Sequence, residues 1–328
     1  METAIATLTS PVILFFILGV LAALAKSDLA FPEALTKGLS LYLMAAIGLQ
    51  GGVKLATAGL GPDVIAAGIA GMTLSFALPF LAFPLLRKVG RVDGVNAGAI
   101  AAHYGSVSVV TFVAGSQMLG AIGLEPEGHM VAVLALMETP AILSGLLLAR
   151  RALARSGRAD TPHGSSGELW REVLLNGSVV LLVGAFVIGW ISGPEGVKPV
   201  MPLFDGLFRG ALCLFLLDMG LIAARRLREA RGLTGGMVVL GIVLPLVNGA
   251  IGAAVGVALG LAPGSAAALA VLTASASYIA VPAAMRLALP QADPGLSLAM
   301  SLGVTFPFNI LVGISLYAWM VRTLLGGA

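Results

Sequence analysis

GVNAGAIAAHYGSVSVVTF, residues 94–112, and GSAAALAVLTASASYIAVPAAMR, residues 264–286, decide how this chain is read. Both lie in apolar surroundings, and both lose their large aliphatic side chains at the centre. The first centre is Gly105-Ser106-Val107-Ser108, and the second is Ser275-Ala276-Ser277-Tyr278, followed by Pro282. An unbroken membrane helix has no use for such a centre. A helix that stops and restarts at mid-bilayer does, because its freed N–H groups and small hydroxyls can face a polar solute instead of lipid.

Composition supports a membrane setting. Of 328 residues, 58% are hydrophobic and 11% charged, and the mean hydropathy is +1.01, far from the balance of a soluble domain. Apolar runs of about 20 residues, the thickness of a hydrocarbon core, recur along the whole length. The single cysteine, Cys213, lies inside one of these runs and excludes a disulfide within one chain. Met1–Ser10 carries Glu2 and no Lys or Arg, so the N-terminus is not read as a cleavable signal, and Pro11–Ala25 is read as a retained first span.

The pattern predicts ten spans, at about 8–25, 34–53, 63–86, 93–122 (broken near 105), 128–149, 171–192, 203–224, 235–260, 264–290 (broken near 277) and 295–322. The odd-numbered loops hold 15 of the 19 Lys and Arg residues. The even loops and the C-terminus hold the other 4, Lys54, Lys198, Arg209 and Arg322. The positive-inside rule then puts the odd loops in the cytoplasm and both termini outside, in a bacterial inner membrane. The one long polar stretch, Arg150–Trp170, reads as a cytoplasmic linker between two halves. The expected division is residues 1–153, a linker at 154–170, and residues 171–328.

An internal repeat supports that division. A shift of 172 residues lays Lys37-Gly38 on Arg209-Gly210, Ile47-Gly48-Leu49 on Met219-Gly220-Leu221, and Gly105-Ser106-Val107 on Ser277-Tyr278-Ile279. Each half then has five spans. Five is odd, so the second half enters the membrane the other way up. The expected fold is an all-α membrane protein of two inverted five-helix repeats, with spans 4 and 9 discontinuous.

Two half-helix N-termini facing each other would present partial positive charge and unpaired N–H groups. Ser106, Ser108, Ser275 and Ser277 add hydroxyls. Such a site suits a small anion held without a buried Lys or Arg, which would cost several kcal/mol to desolvate. The competing reading is that small residues only allow close helix packing. Two intramembrane acids, Glu138 in the fifth span and Asp218 in the seventh, are candidates to hold a cation such as Na⁺ or a proton. For Glu138 the alternative is a cap on a Pro-broken helix, and for Asp218 a pairing with a basic residue nearby. His103 precedes Ser106 by three residues, but no orienting acid completes a hydrolytic triad. HExxH, Walker A and CxxC motifs are absent. Asn96, Gln117, Asn248 and Asn309 read as polar glue between helices. Neither an enzyme, nor a cofactor, nor a nucleic-acid partner is expected.

Several segments resemble the sodium-dependent bicarbonate transporters of the cyanobacterial type. They are Ala135-Leu136-Met137-Glu138-Thr139-Pro140-Ala141, Leu207-Phe208-Arg209-Gly210, Met219-Gly220, and the run Val271–Pro294, VLTASASYIAVPAAMRLALPQADP. The likeness extends through most of both halves, and the last run is its most specific part. The resemblance implies a fold related to bile-acid symporters, with a core domain carrying two crossed, broken helices and a gate domain forming a trimer interface. It also implies elevator-like transport, with bicarbonate held between the breaks, Na⁺ beside it, and a PII-like regulator on the cytoplasmic side. Carried over by position, the substrate-binding residues are Gly105, Ser106, Val107, Ser108, Ser275, Ala276, Ser277 and Tyr278. Those relatives show an Asp followed by Ile-Ser-Gly-Pro-Pro where this chain has Tyr278 and then Ile279-Ala280-Val281-Pro282-Ala283. A serine hydroxyl and a carboxylate are therefore missing from the second break, and Asp218 is a candidate to replace the carboxylate.

The expected function is secondary transport of a small anion, with Na⁺-dependent bicarbonate uptake favoured. The alternatives are a Na⁺- or H⁺-coupled carrier of another small monocarboxylate or organic anion, and a membrane bicarbonate sensor without flux.

Overall fold

In a computed structural model of the chain, residues 10–59, 61–155, 177–229 and 232–326 are described. Among them every regular element is helical. The helices are α1 (Pro11–Leu24), α2 (Glu33–Ala58), α3 (Pro62–Lys88), α4 (Gly94–Gly105), α5 (Val109–Ala121), α6 (Met130–Met137), α7 (Pro140–Arg155), α8 (Gly177–Val197), α9 (Phe208–Glu229), α10 (Gly235–Ala258), α11 (Pro263–Ala274) and α12 (Ala280–Ala288). A last long helix, α13 (Pro294–Leu324), contains π-helical turns at Ala299–Thr305 and Asn309–Gly313. Among the described residues, seven helical stretches are long and apolar enough to cross a bilayer, with α4–α5 and α6–α7 each taken as one stretch. α1 and α11 are shorter apolar helices.

The local sequence explains the starts. Pro opens α1, α3 and α11, where a missing N–H costs nothing. Asp93 caps α4 by accepting from the N–H groups of Val95 and Asn96, and Ser108 caps α5 by accepting from Thr111. Expected and observed boundaries differ at several points, two of which bear on the site and on the division of the chain. The fifth apolar run, expected to be one helix, is interrupted at Glu138-Thr139, because Pro140 has no N–H to continue the ladder. α7 runs to Arg155, past the expected domain edge at 153. The remainder of the expected 154–170 linker, from residue 156 on, lies outside the described residues.

Two helix pairs, α2 with α8 and α1 with α9, make the closest associations of one side of the molecule. On the other side α4 packs between α3 and α7, and α10 lies along α11. The α4–α5 stretch is wrapped by protein across its most apolar window, the only setting in which irregular backbone survives at membrane depth. The outer helices present apolar stripes instead. Ile65, Ile69, Met72, Phe76 and Phe80 on α3 are exposed at helical spacing, as a lipid-facing surface requires.

Gly105, the last residue of α4, fits where no other residue does. A Cβ there would lie 2.5 Å from Pro79 Cδ and 2.8 Å from the Ser75 carbonyl oxygen of α3. Gly105→Ala is therefore expected to lower the stability of the detergent-solubilised protein by about 1–3 kcal/mol, the usual cost of overpacking. Gly120→Ala, in the exposed last turn of α5 with nothing within 4 Å, is expected to leave stability unchanged or slightly raised. Thermal unfolding of the two variants side by side checks both.

Candidate functional site

The two interruptions are stitched to each other. The Ser277 N–H donates to the His103 carbonyl at 2.9 Å, and the His103 ring returns a bond from Nδ1–H to the Ser277 carbonyl at 2.5 Å. The Ser108 N–H donates to Ser275 Oγ at 2.9 Å, and Ser275 Oγ donates to the Leu272 carbonyl at 2.7 Å. These bonds occupy backbone groups that the broken ladders release.

Neighbouring helices satisfy the rest. Asn248 of α10 donates to the Tyr104 carbonyl at 3.1 Å, and Asn309 of α13 donates to the Ala274 carbonyl at 2.9 Å. Each of these asparagines closes the C-terminal end of one half-helix. Asn309 is itself held by Tyr317, whose Oη–H donates to its Oδ1 at 2.8 Å. The third interruption, between α6 and α7, is filled by Ser75 of α3. Its Oγ donates to the Met137 carbonyl at 2.7 Å and accepts from the Ala141 N–H at 3.2 Å. Ser106 Oγ then donates to the Glu138 carbonyl at 3.1 Å, tying the first break to the third.

A small cavity lies where the three interruptions meet. It is lined by Met44, Val107, Ser108, Val109, Glu138, Ser277, Tyr278, Ile279 and Ala280. The room free to a water-sized centre is about 10 Å³, roughly that of a single water. Glu138 is 5% exposed, and its Oε2 is buried without a hydrogen-bond partner among the described residues. Tyr278 lies edge-on to Phe306, with ring centroids 5.5 Å apart. Its Oη is buried beside Ser108 but makes no full hydrogen bond. Ser108 Oγ accepts from Thr111 N–H and Ser277 Oγ accepts weakly from Val281 N–H, at 3.2 and 3.4 Å. Both hydroxyl protons remain available. The cavity thus offers hydroxyl donors and one carboxylate, with the first turn of α5 opening beside it.

The expected substrate residues divide into two groups. Val107, Ser108, Ser277 and Tyr278 line the cavity. Gly105, Ser106, Ser275 and Ala276 do not line it. Gly105 packs on α3, the hydroxyls of Ser106 and Ser275 are engaged by backbone, and Ala276 is buried among apolar side chains. Of the two acids, Glu138 lines the cavity. Asp218 is instead buried against Thr36 of α2, which donates to its Oδ2. Met44, Val109, Ile279 and Ala280 were not foreseen. Val109 and Ile279 adjoin residues that were and Ala280 lies one further on, whereas Met44 is brought in by the packing of α2 and has no local signal.

Two further cavities flank this one. A vestibule of about 470 Å³ is lined by Ile47, Gln50, Lys54, Phe112, Ser116 and Glu125 among others. Ile47 and Phe112 each stand three residues beyond a residue of the central cavity, Met44 and Val109, on the same helix faces. At the vestibule rim Lys54 and Glu125 pair at 2.5 Å, and the bond from Lys54 holds the Glu125 carboxyl below the usual carboxylate range. On the opposite side a cavity of about 510 Å³ is lined by His103, Pro282, Met285, Leu289 and Ser297. The His103 ring, bonded to Ser277, separates it from the centre.

The fold and this cavity define a multi-pass membrane protein with a buried polar centre. The chain belongs to the Na⁺-dependent bicarbonate transporter superfamily, whose family model matches residues 11–322. No curated protein matches it at a significant level.

Asn309 supplies the Ala274 carbonyl with its hydrogen bond inside the core. Asn309→Leu is expected to cost about 1–3 kcal/mol through the buried carbonyl left unpaired. Thermal unfolding in detergent, beside Thr73→Val on the exposed face of α3 as a neutral comparison, measures it.

Proposed function

We propose that this protein carries bicarbonate across the membrane by secondary transport, coupled to Na⁺, with both ions held in the central cavity. One observation carries the reading: the two helix interruptions and the lone carboxylate of Glu138 converge on a single buried space. The anion is assigned to the hydroxyls of Ser108, Ser277 and Tyr278 and to the first-turn N–H groups of α5. The cation is assigned to Glu138, whose unpaired Oε2 is the one free buried carboxylate oxygen of the cavity lining. A cation beside the anion offsets the cost of stripping water from both. Superfamily membership supports the choice of ions.

Ten spans in two inverted halves form part of the same reading. Gly48 of α2 lies against the Leu182 carbonyl of α8. Its counterpart under the 172-residue shift, Gly220 of α9, lies against the Phe16 carbonyl of α1. Equivalent glycines thus seat equivalent helix crossings in the two halves. The α1, α2, α8 and α9 group then acts as the gate against which a core of the remaining helices slides in an elevator-like motion. Met44 of α2 lining the cavity supports a site at that boundary. Loading of bicarbonate requires the cavity to widen, since its present room is that of about one water. The flanking cavities are the routes to either side, with the charge bias placing the Lys54 side outside.

A second reading concerns the coupling ion. Glu138 is a single carboxylate without a second acid beside it, and a single carboxylate takes a proton as readily as it takes Na⁺. Uptake of labelled bicarbonate into proteoliposomes, driven by a Na⁺ gradient or by a pH gradient, separates the two. The expected outcome is Na⁺-driven uptake, reduced at least about tenfold in Ser277→Ala and freed of its Na⁺ dependence in Glu138→Gln. Uptake driven by the pH gradient alone would replace Na⁺ with H⁺. Na⁺-driven uptake that persists in Glu138→Gln would remove Glu138 from the account.

A further inference from the structure

Three metal-ligating side chains meet outside the central cavity. Asp63 stands in the first turn of α3, and Glu127 and His129 stand on the turn entering α6. A ring nitrogen of His129, a carboxylate oxygen of Asp63 and one of Glu127 lie within 4.8 Å of one another. Both carboxylates are exposed, so an ion reaches them from water. His129 is only 4% exposed. Its Nε2 is buried and has no hydrogen-bond partner among the described residues. Buried ring nitrogens are normally paired, and an almost fully buried imidazole with a nitrogen near two carboxylates is a donor set that a transition metal can use.

Glu127 is also held in place. Ser265, in the first turn of α11, donates from Oγ to Glu127 Oε2 at 2.8 Å, and the Glu127 N–H donates back to Ser265 Oγ at 3.2 Å. That fixes one carboxylate oxygen and leaves the other free, as a second shell does for a metal ligand.

We propose that Asp63, Glu127 and His129 form a binding site for a divalent transition-metal ion of the zinc class. The imidazole selects against Mg²⁺ and Ca²⁺, which prefer all-oxygen shells. Three protein ligands leave a fourth position open to water, as in open Zn²⁺ sites. A bound ion clamps the start of α3 to the entry of α6 and, through Ser265, to the start of α11. The far end of α11 forms the second helix break, so occupancy stiffens a half-helix that the central cavity depends on.

The test uses tag-free, full-length protein in detergent, titrated calorimetrically with ZnCl₂ and melted with and without it. One saturable site per chain and an upward shift in Tm are expected, with MgCl₂ at equal concentration giving neither. Asp63→Asn and Glu127→Gln alter exposed carboxylates, so the fold survives, and each is expected to weaken Zn²⁺ binding at least about tenfold. His129→Ala is expected to abolish it. The chain has 3 histidines, and His163→Ala, like Cys213→Ser, is expected to leave binding intact. The proposal fails if no saturable Zn²⁺ site is found, if Mg²⁺ binds equally, if Asp63→Asn and Glu127→Gln both bind as the parent does, or if His163→Ala removes the site.

Discussion

Backbone polar groups cannot be left unpaired at membrane depth, and every notable feature of the centre of this protein answers that constraint. Two helices stop inside the core, and a third is interrupted by Pro140. The carbonyls and N–H groups so released are taken up by named partners: Asn248, Asn309, Ser75, Ser275, and the reciprocal pair of His103 and Ser277. The partners come from α3, α10, α13 and the two breaks themselves. The interruptions are therefore mutually dependent, and neither broken helix has its shape without the other.

Function follows from what that satisfaction leaves over. Once Ser106 and Ser275 are committed to backbone, Ser108, Ser277 and Tyr278 still have hydroxyl protons to give, and Glu138 still has an empty oxygen. Donors and a carboxylate in one small apolar-walled space suit an ion pair better than either ion alone, because each member offsets the other's lost hydration. Membership of the Na⁺-dependent bicarbonate transporter superfamily agrees with that chemistry. Two flanking cavities are each separated from the centre by about one helical turn or one ring.

Much of this was legible in the residues. Breaks near 105 and 277 could be read from runs of small and hydroxylated residues inside apolar segments, since two such runs at equivalent places in the two halves point to more than close helix packing. Glu138 stood out because a carboxylate inside an apolar run is costly. The division of labour among the serines was not legible. Ser106 and Ser108 look alike in sequence, and only the approach of Glu138's carbonyl to one, and of the cavity to the other, tells them apart. Asp218 looked equivalent to Glu138 for the same reason. Its pairing with Thr36 depends on how α9 lies across α2, which local pattern does not specify. Met44 and the cluster of Asp63, Glu127 and His129 are likewise products of packing, assembled from positions that carry no motif.

The central claim is that both ions share one cavity, and equilibrium binding tests it most directly. Calorimetric titration of the detergent-purified protein with bicarbonate at several Na⁺ concentrations, and with Na⁺ at several bicarbonate concentrations, measures the coupling between them. Shared occupancy predicts that each ion raises the affinity for the other by the same factor, as linkage requires, and that Glu138→Gln removes the coupling. Bicarbonate binding that is indifferent to Na⁺ at every concentration would contradict it.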